Sequence, residues 1–248
     1  MGKENIICGK RIIKEALKGN VTIETLYISK NVNLKSIEDI VLYAKKNNVE
    51  VKFVYGKDID NICENKVNQG IAAKIKDYKY YKFEECLKEL EKEEKPFILI
   101  LDSIQDPQNL GAILRSAECI GVKNVIIPQK KSAKINSTVW KASAGAIAHL
   151  NICRANNLLD IILKLKEKSF KVVATDVNSI GDLGDQEYNF PVALILGNED
   201  QGVNENLLEQ CDVKITIPMY GNISSFNVSV AAGIIMYEIK NKQRRLMC

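Results

Sequence analysis

The feature that most constrains this chain is a series of short, unbroken apolar segments, the first being Phe97-Ile98-Leu99-Ile100-Leu101. A strand with one wet face alternates apolar and polar residues. Five apolar residues in a row, closed off by Pro96 and Asp102, mark a strand covered on both faces, as in a parallel sheet. Asn124 to Ile127, Phe170 to Thr175, Val192 to Leu196 and Val213 to Ile217 follow, with helical patterns between most of them. That alternation predicts a doubly wound α/β domain. Ligands of such sheets bind beyond the carboxyl ends of the strands. The residues after Leu101, Ile127, Thr175, Leu196 and Ile217 are therefore where chemistry is expected.

Upstream of Lys95-Pro96 the texture differs. Gly9 to Leu17 reads as a helix with Ile12, Ile13, Ala16 and Leu17 on one face and Gly19 as its stop. Thr22 to Ile28 and Glu50 to Tyr55 read as strands, Leu34 to Lys46 as an amphipathic helix, and Asp58 to Cys63 as a short helix. Ile71 to Ile75 reads as a strand after the turn signal Asn68-Gln69-Gly70. Residues 1–77 thus form a small α/β unit. Residues 78–95, rich in Tyr, Lys and Glu, read as a linker holding a solvated helix, and residues 96–248 as the second domain.

Composition excludes several classes. At 248 residues, with 46% hydrophobic and 27% charged side chains, the chain is neither collagen-like nor disordered nor a disulfide scaffold. No apolar run approaches the roughly 18 residues that would span a bilayer, so no membrane partner is expected. The segment around Lys3, Glu4 and Lys10 lacks the apolar stretch of a secretory signal. The seven cysteines are odd in number, scattered, and never spaced Cys-x-x-Cys. With a single histidine, His149, they argue against disulfides and metal sites and for a reducing cytoplasm. His149 lies in the apolar stretch Ala146 to Leu150 and reads as structural. The net charge of +4, mostly before residue 96, favours a nucleic-acid partner only weakly.

Three strand ends are dense in functional groups. After Leu101, Asn109 is a candidate cap of the following helix, and Arg115 sits among Leu114 and Ala117. A guanidinium buried there needs a carboxylate or an anionic ligand. After Leu196, polar residues lie between Gly197 and Gly202, where backbone can approach a ligand closely, and Glu199 is a candidate partner for Arg115. After Ile217, a segment rich in hydroxyls and amides leads into a long helix, with Ser224 or Ser225 as its expected cap. The chain has no Gly-x-Gly-x-x-Gly after a strand, no Walker A loop and no Gly-x-Ser-x-Gly elbow. Dinucleotide enzymes, P-loop enzymes, α/β-hydrolases and the glycine-rich Rossmann-type methyltransferases are thereby disfavoured.

In this order and strand context, the three segments resemble the motifs of the SpoU (TrmH-type) RNA ribose 2′-O-methyltransferases of the SPOUT superfamily. The first is Asn109-Leu110-Gly111-(x)3-Arg115, and the second Leu196-Gly197-Asn198-Glu199-(x)2-Gly202. The third is Ile217-Pro218-Met219-(x)5-Ser225-Phe226-Asn227-Val228-Ser229-Val230-Ala231. The match covers about residues 96–245. The first 77 residues resemble the L30e-like RNA-binding domain of many members, through Gly9 with its helix and Asn68-Gln69-Gly70-Ile71-Ala72-Ala73. Related members often carry His where this chain has Asn68.

The resemblance implies an α/β fold whose C-terminal SPOUT domain has a mainly parallel sheet and a deep trefoil knot, a rare exception to the rule against knots. It implies S-adenosylmethionine as cofactor, held against Gly197, Ile217 and Phe226, with Thr175, Leu196 and Met219 next. Arg115 would stand at the ribose 2′-oxygen as general base or oxyanion stabiliser, Asn109 would hold Arg115 and the ribose, and Glu199 would orient one of them. Ser225 and Asn227 would position substrate. The partners implied are RNA and a second copy of the chain, with no metal. The two-domain layout looks most like the subgroup that methylates a guanosine ribose in 23S ribosomal RNA. A transfer RNA 2′-O-methyltransferase, a base or small-molecule methyltransferase and a non-catalytic RNA-binding protein on the same fold are the alternatives. Arg115, Glu199 and Asn227, all present, argue against the last of these.

Overall fold

The computed structural model describes residues 5–64, 68–176, 179 and 181–245. In chain order the elements begin with β1 (Ile6–Cys8), α1 (Lys10–Lys18), β2 (Ile23–Ser29), α2 (Glu38–Lys46), β3 (Glu50–Val54), α3 (Gly56–Cys63) and β4 (Ile71–Ile75). There follow α4 (Phe83–Leu90), β5 (Phe97–Leu101), α5 (Pro107–Ile120), β6 (Asn124–Pro128), α6 (Ser137–Ala142), β7 (Asn151–Ala155) and α7 (Leu158–Glu167). The chain continues with β8 (Lys171–Thr175), β9 (Val192–Leu196), α8 (Glu205–Leu208), β10 (Val213–Ile215) and α9 (Val228–Arg245). No described helix is long and apolar enough to cross a membrane.

The chain divides into two compact units, Met1–Lys79 with Lys134–His149, and Tyr80–Ala133 with Leu150–Cys248. The first is built on a four-stranded sheet in the order β1-β4-β2-β3. β4 runs antiparallel to β1 and β2, and β2 runs parallel to β3. Ile13, Ala16 and Leu17 of α1 and Ile40 and Ala44 of α2 are buried. Lys134–His149 seats itself here: Asn20 N–H donates to the Ala148 carbonyl at 3.1 Å, and His149 Nε2 meets Glu15 Oε2 at 2.9 Å. Gly19 fits because a Cβ there would lie 2.2 Å from that same carbonyl oxygen. Its N–H, as the sequence suggests, closes α1 by donating to the Glu15 carbonyl.

The second unit is a six-stranded sheet in the order β10-β8-β9-β5-β6-β7, every pairing parallel. Every residue of β5 and β9 is buried, as unbroken apolar segments require. Side chains alternate across the pleat. Ile98, Ile100, Val172, Ala174, Ala193 and Ile195 share one core with α4 and α7. α5 and α9 pack on one another and bury Leu110, Ile113, Leu114, Ala117, Ala232, Ile235, Met236 and Ile239.

Four local expectations change. The solvated helix is α4, and its Phe83, Cys86 and Leu90 are buried in the core of the second unit. These positions fall at i, i+3 and i+7, one helical stripe, hidden in the sequence among charges that occupy the other face. β1, three apolar residues, is too short to read as a strand, and β7, on a sheet edge where covering both faces with apolar residues is not required, mixes Asn151 and Arg154 among them. Leu34–Ile37 is a 3₁₀ turn that precedes α2, not its first turn. Cys8 and Cys63 form a disulfide between β1 and α3, across 55 residues of sequence. Only the sheet order, which brings α3 back against β1, reveals that pairing.

Candidate functional site

The site lies in the second unit. The chain steps outward from β5 through β6 to β7, then returns to build β8, β9 and β10 on the other side of β5. The order therefore reverses between β5 and β9, whose last residues, Leu101 and Leu196, are paired. Loops leaving two strands at such a point diverge and open a crevice.

One carboxylate fastens the two loops. Asp102, buried at the end of β5, donates its N–H to the Leu196 carbonyl at 2.8 Å. Its Oδ2 accepts from Asn204 N–H at 2.9 Å, and its Oδ1 from the Ser103 hydroxyl at 2.9 Å. The loop after β9 then folds on itself. Asn198 Oδ1 accepts from the N–H groups of Asp200 and Gln201, and Gly202 N–H donates to the Asn198 carbonyl. Gly202 sits at φ 66, and a Cβ on Gly197 would come within 2.0 Å of the Gly202 carbonyl carbon. No other residue fits at Gly197 without opening the turn. Asp102 and Asn198 received no role from the sequence; their signal was position alone, each one or two residues beyond a buried strand.

α5 opens on Asp106, whose side chain accepts from Asn109 N–H at 2.9 Å, with Pro107 in the first turn. Asp106 is thus the cap, and Asn109 is left with a free amide. That amide donates through Nδ2 to Glu199 Oε1. Asn109 Oδ1 accepts from Asn227 Nδ2 at 3.1 Å. Asn227 Oδ1 in turn accepts from Ser229 N–H at 3.0 Å and from the Ser229 hydroxyl at 2.6 Å. Asn227 therefore caps α9, where Ser224 or Ser225 was expected. The network runs in one direction, from hydroxyl through two amides to a carboxylate, and it draws together residues from all three sequence motifs.

Beside it lies a cavity of about 360 Å³. Thr175, Leu196, Gly197, Ile217, Met219 and Phe226 all line it, as do Glu199 and Ser225. From Ile217 to Phe226 the backbone makes no hydrogen bond among the described residues, so its N–H and C=O groups are available to a ligand. Apolar walls, free backbone groups and a volume in the range of small-ligand sites suit an adenosine-bearing cofactor.

Arg115 departs from expectation. It is exposed, and among the described residues its side chain makes no ion pair or hydrogen bond. Six residues along a helix are a ~9 Å rise and a turn well away from the face of Asn109, which explains why Glu199 pairs with Asn109 and not with Arg115. Ser225 reaches the cavity but joins no hydrogen bond of the network. The buried thiols of Cys86 and Cys153 are pushed up by burial to about 12 and about 11, which makes them poor nucleophiles.

A family model described as the SpoU rRNA Methylase family matches residues 96–237. A second, described as RNA 2′-O ribose methyltransferase substrate binding, matches residues 6–81. The chain belongs to the SpoU (TrmH-type) family of RNA methyltransferases. Among SpoU and TrmH relatives, YacO of Bacillus subtilis, named for the TrmH family of tRNA/rRNA methyltransferases, is 34% identical over 97% of both chains. A TrmH family relative in Staphylococcus aureus is 37% identical over the same share. Among solved structures, the AdoMet-bound rRNA methyltransferase of Sinorhizobium meliloti superposes with a TM-score of 0.81 at 24% identity, covering 99% of this chain and 88% of that one. The SpoU methyltransferase AviRb of Streptomyces viridochromogenes, in complex with AdoMet, gives a TM-score of 0.81 at 22% identity, covering 98% and 91%. These two establish the SpoU fold. Like its family, this chain is an RNA 2′-O-methyltransferase with S-adenosylmethionine as methyl donor.

Proposed function

We propose that the chain methylates the 2′-hydroxyl of a guanosine ribose in 23S ribosomal RNA. The Glu199–Asn109–Asn227 network beside the cavity supports transfer to a ribose hydroxyl, and the match to the SpoU rRNA Methylase family supports a ribosomal target. When bound, S-adenosylmethionine supplies an electrophilic methyl group. Gly197, Ile217 and Phe226, with Thr175, Leu196 and Met219, would hold it.

The chain's own task is to present a weakly acidic hydroxyl in line with that methyl group. The Asn109 and Asn227 amides are each fixed by two partners, so they present their remaining donor and acceptor positions at defined places. Glu199 spends one oxygen on Asn109 and keeps the other for the ribose hydroxyl. A guanidinium keeps its proton in proteins, so Arg115 acts as a positive charge that stabilises the forming 2′-oxyanion. With no side-chain partner among the described residues, it is available for this. Ser225 positions substrate at the cavity mouth.

We assign the chain to a homodimer. Val230, Ile234 and Tyr237 are 49%, 37% and 64% exposed and lie at i, i+4 and i+7 on α9. Such a stripe suits a second copy of the same helix face. The trefoil knot belongs to the same reading, as does action in the cytoplasm.

The test is transfer from methyl-labelled S-adenosylmethionine to total RNA, followed by nuclease digestion. Label in 2′-O-methylguanosine of 23S RNA is expected. Label in transfer RNA moves the target, and label in a base or none at all overturns the reading. Arg115→Ala is expected to lower transfer roughly 10²–10³-fold with cofactor binding intact by calorimetry.

A further inference from the structure

We propose that one end of the four-stranded sheet is a docking face for unpaired nucleotides of RNA, with Tyr55 as the platform on which a base stacks. The inference rests on the RNA methyltransferase reading and adds the place and the chemistry by which the first unit takes its RNA.

The sheet topology gathers the residues. β1 and β2 both run antiparallel to β4, and β3 runs parallel to β2, so β1, β2 and β3 end on the same side. Two of their last residues meet the start of β4 in register, Cys8 with Ala72 and Ile28 with Ile71, and Ser29 at the end of β2 pairs with Val54 at the end of β3. The chain leaving that end carries Lys30 and Tyr55 directly after β2 and β3, and Arg11 and Lys57 in the first turns of α1 and α3.

Tyr55 is 67% exposed, and Phe53, two residues back on the same face of the edge strand, is 53% exposed. Lys30 N–H donates to the Val54 carbonyl at 2.9 Å, which places its side chain beside the ring. The Lys30 ammonium lies 4.2 Å from the ring centroid, so one face of Tyr55 carries a cation and the other stays open. Arg11, Lys30 and Lys57 are exposed and form no ion pair among the described residues. Asp58 accepts from Tyr55 N–H at 3.0 Å and Asp60 from Asn68 Nδ2 at 2.7 Å, and among the described residues neither forms an ion pair with these cations. The surface therefore combines an open aromatic ring with unpaired positive charge, the pairing that single-stranded nucleic acid demands.

A duplex would leave the ring unused, because stacked and paired bases hide their faces; splayed bases of loops and bulges do not. Asn68 takes no part. It is buried, and its Oδ1 accepts from Gly70 N–H at 2.8 Å to hold the turn into β4.

The experiment uses the full-length protein and two probes, a 15-nucleotide unstructured RNA containing one 2-aminopurine and the same strand annealed to its complement. Wild type and Tyr55→Phe are expected to prefer the single strand and to quench the 2-aminopurine on binding. Tyr55→Ala is expected to bind it about 5–100-fold more weakly, without quenching, as for the loss of one stacked base. Lys30→Gln and Lys57→Gln should each flatten the salt dependence of log Kd by about 0.7. Circular dichroism controls for folding, and S-adenosylmethionine affinity should stay unchanged throughout. Quenching by Tyr55→Ala equal to wild type overturns the proposal. So does equal weakening by Tyr55→Phe and Tyr55→Ala, which marks a hydroxyl contact instead of stacking, and so does preference for the duplex. Self-association that Tyr55→Ala abolishes overturns it in favour of a protein contact. A failure of methyl transfer to any RNA, read separately, would count against the catalytic reading and not against this face.

Discussion

The two units solve the problem of covering a sheet by opposite means. In the second, apolar residues do nearly all of it. β5 and β9 are buried on both faces, helices supply the cover, and the described residues hold no disulfide there. In the first, the sheet is smaller and its edges are open: β1 has three residues, and β3 exposes Glu50, Lys52 and Phe53. It is held by long-range ties, including the Cys8–Cys63 disulfide, the Glu15–His149 contact, the Lys14–Asp39 and Lys74–Glu24 pairs, and the seat that Gly19 offers Ala148. Small units bury a smaller share of their surface and lean on such ties. The difference also separates tasks. The apolar unit concentrates its polar chemistry at one switch point, whereas the tied unit leaves aromatic and basic groups open on its surface.

The largest effect that sharpens this contrast should come from the disulfide. Closing a loop across 55 residues is worth ~4 kcal/mol in the chain-entropy account. Reductant, or Cys63→Ser, should therefore lower the stability of the first unit by about that much and leave the second unchanged. The sole tryptophan, Trp140, is buried in α6 and belongs to the first unit, so its fluorescence reports that unit alone. A urea transition of Trp140 that does not move on reduction would break the comparison.

The site network offers the converse. Asn109→Ala and Asn227→Ala should each cut methyl transfer roughly 10²–10³-fold, the scale for removing one preorganised donor. The double variant should lose little more, because the two amides act as a unit. Neither should move the Trp140 transition. Asn227 also caps α9, so loss of the cap alone costs about 1 kcal/mol. Asn227→Ser keeps a capping oxygen but cannot reach Asn109 as an amide does. Its activity separates the roles: recovery above the level of Asn227→Ala would assign Asn227 to capping, whereas continued loss assigns it to the network.

Much of the second unit was legible in the sequence for one physical reason: a strand buried on both faces must be apolar throughout. Phe97–Leu101 and Val192–Leu196 are strands over the residues that their composition marks, and the loops that follow them hold the site. Edge strands escape that rule, so Asn151–Ala155, with its asparagine and arginine, gave no signal. Caps were misread because several residues of the right type compete within one turn. Asp106 and Asn227 won over Asn109, Ser224 and Ser225 by geometry that composition does not contain. Arg115 was read as buried from its neighbours, but on a helix adjacent residues point to different faces. The Cys8–Cys63 bond and the seating of Lys134–His149 on the first unit depend on separations of tens of residues, which local pattern cannot express.

The smallest expected effect tests whether the ties of the first unit are electrostatic. Burial by itself would raise the Glu15 carboxyl, but the hydrogen bond from His149 and the nearby Lys18 outweigh it and hold the carboxyl below its ordinary value. A carboxylate depressed on folding contributes stability that is present above its unfolded value, near 4.3, and is lost as pH falls through the folded one. Glu15→Gln should therefore lower the Trp140 midpoint near neutral pH by an amount equivalent to less than about 1 kcal/mol, since both side chains are partly exposed. As the pH falls below the unfolded value and through the folded one, the gap to wild type should narrow, as the wild-type carboxyl takes up its proton. A gap that does not narrow at all as the pH is lowered below the unfolded value would mean that Glu15 works by packing and neutral hydrogen bonding. The seat of Lys134–His149 would then be held much as the second unit holds its helices, by shape and not by charge.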